Sequence, residues 1–171
     1  MNIKIKRNST EAILCTIDLP GTAIDKEKFK QFIDTITNSD FLLRITEKTG
    51  LGWKESSIRI KYSNEAEFEG LDTILVDYNR GSRAVSSATH EAFHLMLRQA
   101  IWTDRPVVKS MVQKYPELEN SSSHGIAYKM EQMFAYLLQN EIYQEIARDL
   151  KFDASKDYWD TDFIIKDFIP Y

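Results

Sequence analysis

His90 and His94 stand four residues apart, and Glu91 directly follows the first of them. On a helix this spacing sets one imidazole above the other on a single face, so both rings can aim a nitrogen at one metal ion. Taking His90 as the origin and stepping about 100° per residue puts His94 at roughly 40° and Glu91 at roughly 100°. The carboxylate then flanks the metal instead of joining the pair. A zinc ion held by two histidines and a third ligand keeps a position open for water and lowers that water's pKa, and a neighbouring carboxylate can take its proton. His90 and His94 are therefore expected to bind Zn2+, with Glu91 as general base for hydrolysis. Matching His-Glu-x-x-His by composition alone is improbable in a chain with 3 histidines.

The motif needs a helix, and the surrounding residues provide for one. Val85, Ala88, Ala92, Phe93, Met96, Leu97 and Ala100 form an apolar stripe mostly opposite the two histidines, and Ser82 in the turn Asn79-Arg80-Gly81-Ser82 is a candidate N-cap. Upstream, the alternation in Ile3 to Ile5 and Ile13 to Leu19 predicts a β-hairpin. Helical spacing predicts amphipathic helices over Asp25 to Thr37 and Phe41 to Lys48, and Ile58 to Tyr62 and Ile74 to Tyr78 read as strands. Downstream, Asp104 caps a short helix through Pro106, and Asn120 to Ser123 offer caps for a long helix. Its stripe runs through Ile126, Met130, Met133, Phe134, Leu137, Leu138, Ile142 and Ile146. The tail from Asp153 to Tyr171 is expected to pack its aromatics on the body.

The long helix offers the third ligand. Glu131 is flanked at four-residue spacing by Ala127 and Ala135, small residues that let this helix approach the motif helix closely. His124 lies seven residues earlier, on the same face but about 10 Å away along the axis, so the two cannot readily share one ion. Asp104 is a further option for a ligand after the motif helix.

Composition bounds the rest. The 171 residues, 43% hydrophobic and 12% aromatic, suit a single domain over 1–171 with one core. A formal charge of −4 without a Lys/Arg block gives no footprint for nucleic acid or an anionic membrane, and neither is expected as a partner. One cysteine, Cys15, cannot form an internal disulfide and reads as a small core residue. The alternating N-terminus lacks the apolar run of a signal peptide, and no segment reaches a membrane span, so a cytoplasmic location is expected, with non-classical export left open.

With the motif, a preceding pair of strands and a later ligand-bearing helix in place, the stretch from Ile58 to Asp149 resembles the zincin superfamily of zinc metallopeptidases. That resemblance implies an α+β fold: a small mixed β-sheet, an edge strand beside the motif helix, and a second long helix with the third ligand. It also implies a peptide or protein substrate held by strand addition, for which Asp72 to Tyr78 is the expected strand. With Glu131 as ligand the chain is similar to gluzincins, and His124 or Tyr128 would then line the cleft and donate a hydrogen bond to the tetrahedral intermediate. Ala135 departs from the thermolysin-like pattern, which has an aspartate there to orient a histidine. Asp77 is a candidate replacement. His124-Gly125-Ile126-Ala127-Tyr128-Lys129 instead resembles the element that supplies the third histidine in SprT-like proteases. It falls 30 residues after His94, and no zinc-ribbon cysteines follow. Two other readings share the motif: a catalytically silent zincin fold that binds a partner, and an effector or toxin peptidase.

Overall fold

The structure, a computed structural model, describes residues 1–103 and 126–154 together with positions 106, 109, 110 and 113. His124, Asp104 and the aromatic tail from 155 onward lie outside the described residues, as does the side chain of Tyr128.

The predicted hairpin forms from β1 (Asn2–Lys6) and β2 (Ala12–Ile17), paired antiparallel with Ile5 opposite Ile13. β3 (Ser57–Tyr62) lies parallel to β2, and β5 (Thr73–Val76) parallel to β3. β4 (Glu67–Glu69) completes the sheet antiparallel to β5, giving the order β1-β2-β3-β5-β4. This changes one expectation. The segment from Asp72 to Tyr78 is not the sheet edge, because β5 is paired on both sides. Among the described residues the sheet ends on this side at β4, whose Glu-Phe-Glu sequence lacks the β-branched residues that announce a strand.

The strands alternate because helices cover only one face of the sheet. Ile5, Ile13, Cys15, Ile17, Ile58, Ile60, Ile74 and Val76 point into the core, whereas Lys4, Leu14 and Arg59 face outward. Cross-strand register lines up Ile17, Ile60, Ile74 and Phe68 as one row. Cys15 is fully buried, and desolvation pushes its thiol up to about 12, consistent with a packing role.

Helix α1 (Lys26–Asn38) starts at Asp25, whose carboxylate accepts from the Lys28 amide, and α2 (Phe41–Thr49) ends at Gly50 in the left-handed conformation. Both match the expected spans to within a residue or two. After β5 the chain makes a short 3-10 helix, Tyr78–Arg83, capped by Asp77, before the motif helix α3 (Ala84–Thr103) begins. Ser82 is therefore not the cap. Its hydroxyl is 2.9 Å from that of Thr35 on α1. Tyr78 anchors the connection: its ring stacks on Phe32 at 5.0 Å, and its hydroxyl donates to the carbonyls of Asp18 and Ile60.

The last described helix, α4 (Ile126–Leu150), packs across α3 and against α2. Ile142 and Ile146 enter the core, while Arg44 pairs with Asp149 at 2.8 Å and Lys48 with Glu141 and Glu145. Such partly exposed pairs contribute at most about 1 kcal/mol each, so the apolar contacts hold α4 and the ion pairs set its register. Among the described residues no helix is long and apolar enough to cross a membrane.

Gly81 makes the turn into α3 with φ 60° and ψ −133°, and a Cβ there would sit 2.6 Å from the Gln31 side-chain oxygen. Gly81→Ala is expected to cost about 2 kcal/mol, chiefly through the backbone conformation. The melting temperature followed by circular dichroism should fall by roughly 4–8 °C for a chain of this length. An unchanged melting temperature would contradict this account of the turn.

Candidate metal centre

The motif residues lie between the sheet and α4. His90, Glu91 and His94 are only 6%, 7% and 2% exposed. The polar side of α3 is thus largely covered. Phe68 from the edge strand lies 5.6 Å from the His94 ring, and Tyr136 from α4 lies 4.5 Å from that of His90, both measured between centroids.

Covering two imidazoles leaves four ring nitrogens to satisfy, and α4 meets the outer two. His90 Nδ1 is 2.9 Å from Gln139 Oε1, while Gln139 Nε2 donates to Ser86 Oγ at 2.6 Å, which fixes the direction of the amide. His94 Nδ1 is 2.9 Å from Glu131 Oε1. The acceptors facing both Nδ1 atoms, one a carboxylate and one an amide oxygen fixed by Ser86, favour the proton on that edge and a lone pair at Nε2. The two Nε2 atoms are 3.2 Å apart, and Gln132 Oε1 lies 2.8 Å from one and 2.9 Å from the other. Two lone-pair nitrogens and an amide oxygen therefore converge. Their mutual spacing suits ligands bonded to one ion at about 2.0–2.2 Å, and the arrangement fits a divalent cation such as zinc.

Glu131 reaches the centre, as expected, but on the Nδ1 side of His94, where it orients the ring. Gln132, one position and about 100° further round the helix, occupies the Nε2 side instead. Among the described residues no three His, Cys, Asp or Glu side chains converge as a metal-binding group. Asp77 does not take the orienting role considered for it: its carboxylate accepts from the Asn79 amide, and Gln139 and Glu131 serve the two histidines. Gln132 and Gln139 are the site residues that sequence reasoning missed. Their signal was present, since they lie seven residues apart on one face of the helix that carries Glu131.

Burial acts on the charges of the site. Desolvation, reinforced by the neighbouring His94, pushes His90 down to about 3, against the raising effect of its hydrogen bonds to Gln132 and Gln139. Desolvation pushes the Glu91 carboxyl up to about 7; His94 opposes that shift and Glu67 on the edge strand adds to it. His90 and Glu91 both open on a cavity of about 480 Å3 whose walls include Gln132 and Tyr136 from α4 and Asn64 to Ala66 from the β3–β4 connection. Comparison of the chain with protein-family models, with curated proteins and with solved structures returns no match.

The tautomers can be checked directly. Long-range 1H–15N correlation spectra of metal-free protein at neutral pH are expected to show both His90 and His94 protonated at Nδ1. A proton on Nε2 of either ring would remove the converging lone pairs.

Proposed function

We propose that this chain is a zinc-dependent peptide-bond hydrolase of the zincin type, acting on peptide or protein substrates. The observation that carries the reading is the pair of Nε2 atoms 3.2 Å apart, with acceptors at both Nδ1 edges and Glu91 opening on the cavity that His90 lines. His90 and His94 are the protein's nitrogen ligands, Gln132 presents an oxygen to the same point, and Glu131 holds His94 in its ligating tautomer. When bound, zinc supplies Lewis acidity that brings the pKa of a coordinated water to about 7.

Glu91 takes the proton from the attacking water and returns it to the leaving amine nitrogen. Its desolvation raises its affinity for that proton, as the role requires. The strand β4, which among the described residues pairs only with β5, borders the β3–β4 wall of the cavity and can accept an extended substrate along its other side. Phe68, packed on His94, keeps that wall close to the ligands. A buried, unpaired Cys15 suits a reducing compartment such as the cytoplasm.

Purified protein is expected to carry stoichiometric zinc by elemental analysis, and His90→Ala to lose it. Zinc-free wild-type protein, with no change on His90→Ala, would remove the basis of the proposal. Glu91→Gln should lower peptide hydrolysis by about 10²–10⁴-fold while zinc content stays at the wild-type value.

The role of Glu131 is separable from that of a ligand. In chelator competition, Glu131→Ala should weaken zinc binding by about 10–100-fold, the usual cost of losing a group that orients a ligating histidine. A loss as complete as that of His90→Ala would assign Glu131 to the coordination itself.

A further inference from the structure

The cavity that exposes His90 and Glu91 is also lined by Arg80 and Arg83. These two differ from the other arginines whose side chains are described. Arg7 pairs with Glu11, Arg44 with Glu145 and Asp149, Arg59 with Asp18 and Arg148 with Asp149, while Arg98 lies over the Phe68 ring. Among the described residues neither Arg80 nor Arg83 has an ion-pair partner, although Asp77 lines the same cavity. The Asp77 carboxylate already caps the 3-10 helix through the Asn79 amide.

The placement relates the two arginines to the chemistry. Arg83, Ser87 and Glu91 follow at four-residue steps, and so do Ser86 and His90, so a polar line runs along α3 from the guanidinium to the base. From Arg83 to Glu91 the axial distance is about 12 Å at 1.5 Å per residue. An extended peptide covers that distance in roughly three to four residues, fewer once the reach of an arginine side chain is counted. Both serines on this line are buried, and Ser86 Oγ accepts from Gln139, which leaves its own proton available to donate.

We propose that Arg80 and Arg83 form a carboxylate-binding subsite of the cleft, which selects peptides with a carboxylate within about four residues of the bond to be cut. The inference rests on the hydrolase reading above and specifies its substrate class. Guanidinium groups bind carboxylates through paired, charge-assisted hydrogen bonds, and the subsite offers two of them. Asp77 and Glu65 line the same cavity and balance the two guanidinium charges overall, which disfavours a doubly charged phosphate relative to a monoanion. The carboxylate is either a free C-terminus or the side chain of Asp or Glu.

Zinc-loaded protein is incubated with a mixed-sequence peptide library prepared with free or amidated C-termini, and the cuts are mapped by mass spectrometry. Cuts with a carboxylate within four residues are expected to be enriched about tenfold. Loss of the enrichment on amidation identifies the terminus as the source, and retention with Asp or Glu near the cut identifies the side chain. In Arg80→Gln/Arg83→Gln the enrichment should fall to about one, and Arg80→Lys/Arg83→Lys should recover part of it and serves if the Gln pair fails to fold.

A binding readout keeps this separate from catalysis. Immobilised Glu91→Gln protein should retain carboxylate-bearing library members about tenfold over their neutral counterparts, and the double Gln change should abolish that preference. Retention with this preference but no cleavage by the wild type would defeat the hydrolase reading and leave the subsite standing. Cleavage or retention without carboxylate preference, or a preference that survives the double Gln change, would overturn the subsite.

Discussion

Two hydrogen bonds between α4 and α3, from His90 Nδ1 to Gln139 and from His94 Nδ1 to Glu131, set the geometry on which the centre depends. Burying an imidazole costs free energy unless its nitrogens find partners, and here two are buried side by side. The partners on the Nδ1 edges decide what the Nε2 edges present. A carboxylate and a fixed amide oxygen accept from the outer edges, so the hydrogen bonds that hold the layer together also favour lone pairs on the inner edges. A rotation of α4 by one residue would exchange Glu131 and Gln132 and alter the ligand set. The packing of Ile142 and Ile146 and the tie of Arg44 to Asp149, more than two turns beyond Glu131, oppose such a rotation.

The sheet constrains the other side of α3. Ile17, Ile60, Ile74 and Phe68 form a row across four strands, and the row ends on the residue that packs against His94. Core and site are therefore one packed layer. The entry to α3 is constrained as firmly, by the buried Tyr78 with its two carbonyl acceptors and by the turn at Gly81. A helix held at its start, along its apolar side and along its polar side has little freedom to move its two histidines apart.

Much of this was legible in the residues, and what escaped did so for physical reasons. Strong alternation in Ile58 to Tyr62 and the caps at Asp25 and Gly50 located their elements, because apolar period and cap chemistry are local properties. β4 escaped because three residues of Glu-Phe-Glu carry no alternation that can be told from a loop; pairing with β5 makes it a strand. The spacing of His90, Glu91 and His94 placed them together on α3, but which face of α4 meets them is a tertiary property. Glu131, expected from its setting among small residues as a ligand, lies at His94 on the Nδ1 side of the ring, a placement that depends on a helical rotation no sequence period fixes. Gln132 and Gln139 were passed over because neutral amides carry no charge signature.

Burial also couples the two kinds of chemistry at the site. Desolvation favours the neutral form of every titratable group, lowering His90 and raising Glu91. For an imidazole the neutral form is the one that can ligate, and for a carboxylate a raised proton affinity makes a stronger base. A single physical cause, burial of the polar side of α3, thus shifts the two groups in opposite directions. His94 restrains the shift of Glu91, whereas Glu67 on the edge strand enlarges it, so the strand that helps to cover α3 also bears on the proton affinity of Glu91. The covering of α3 by α4 and β4 is accordingly more than packing: with that side of α3 open to water, His90 would protonate more readily and Glu91 would hold a proton less tightly.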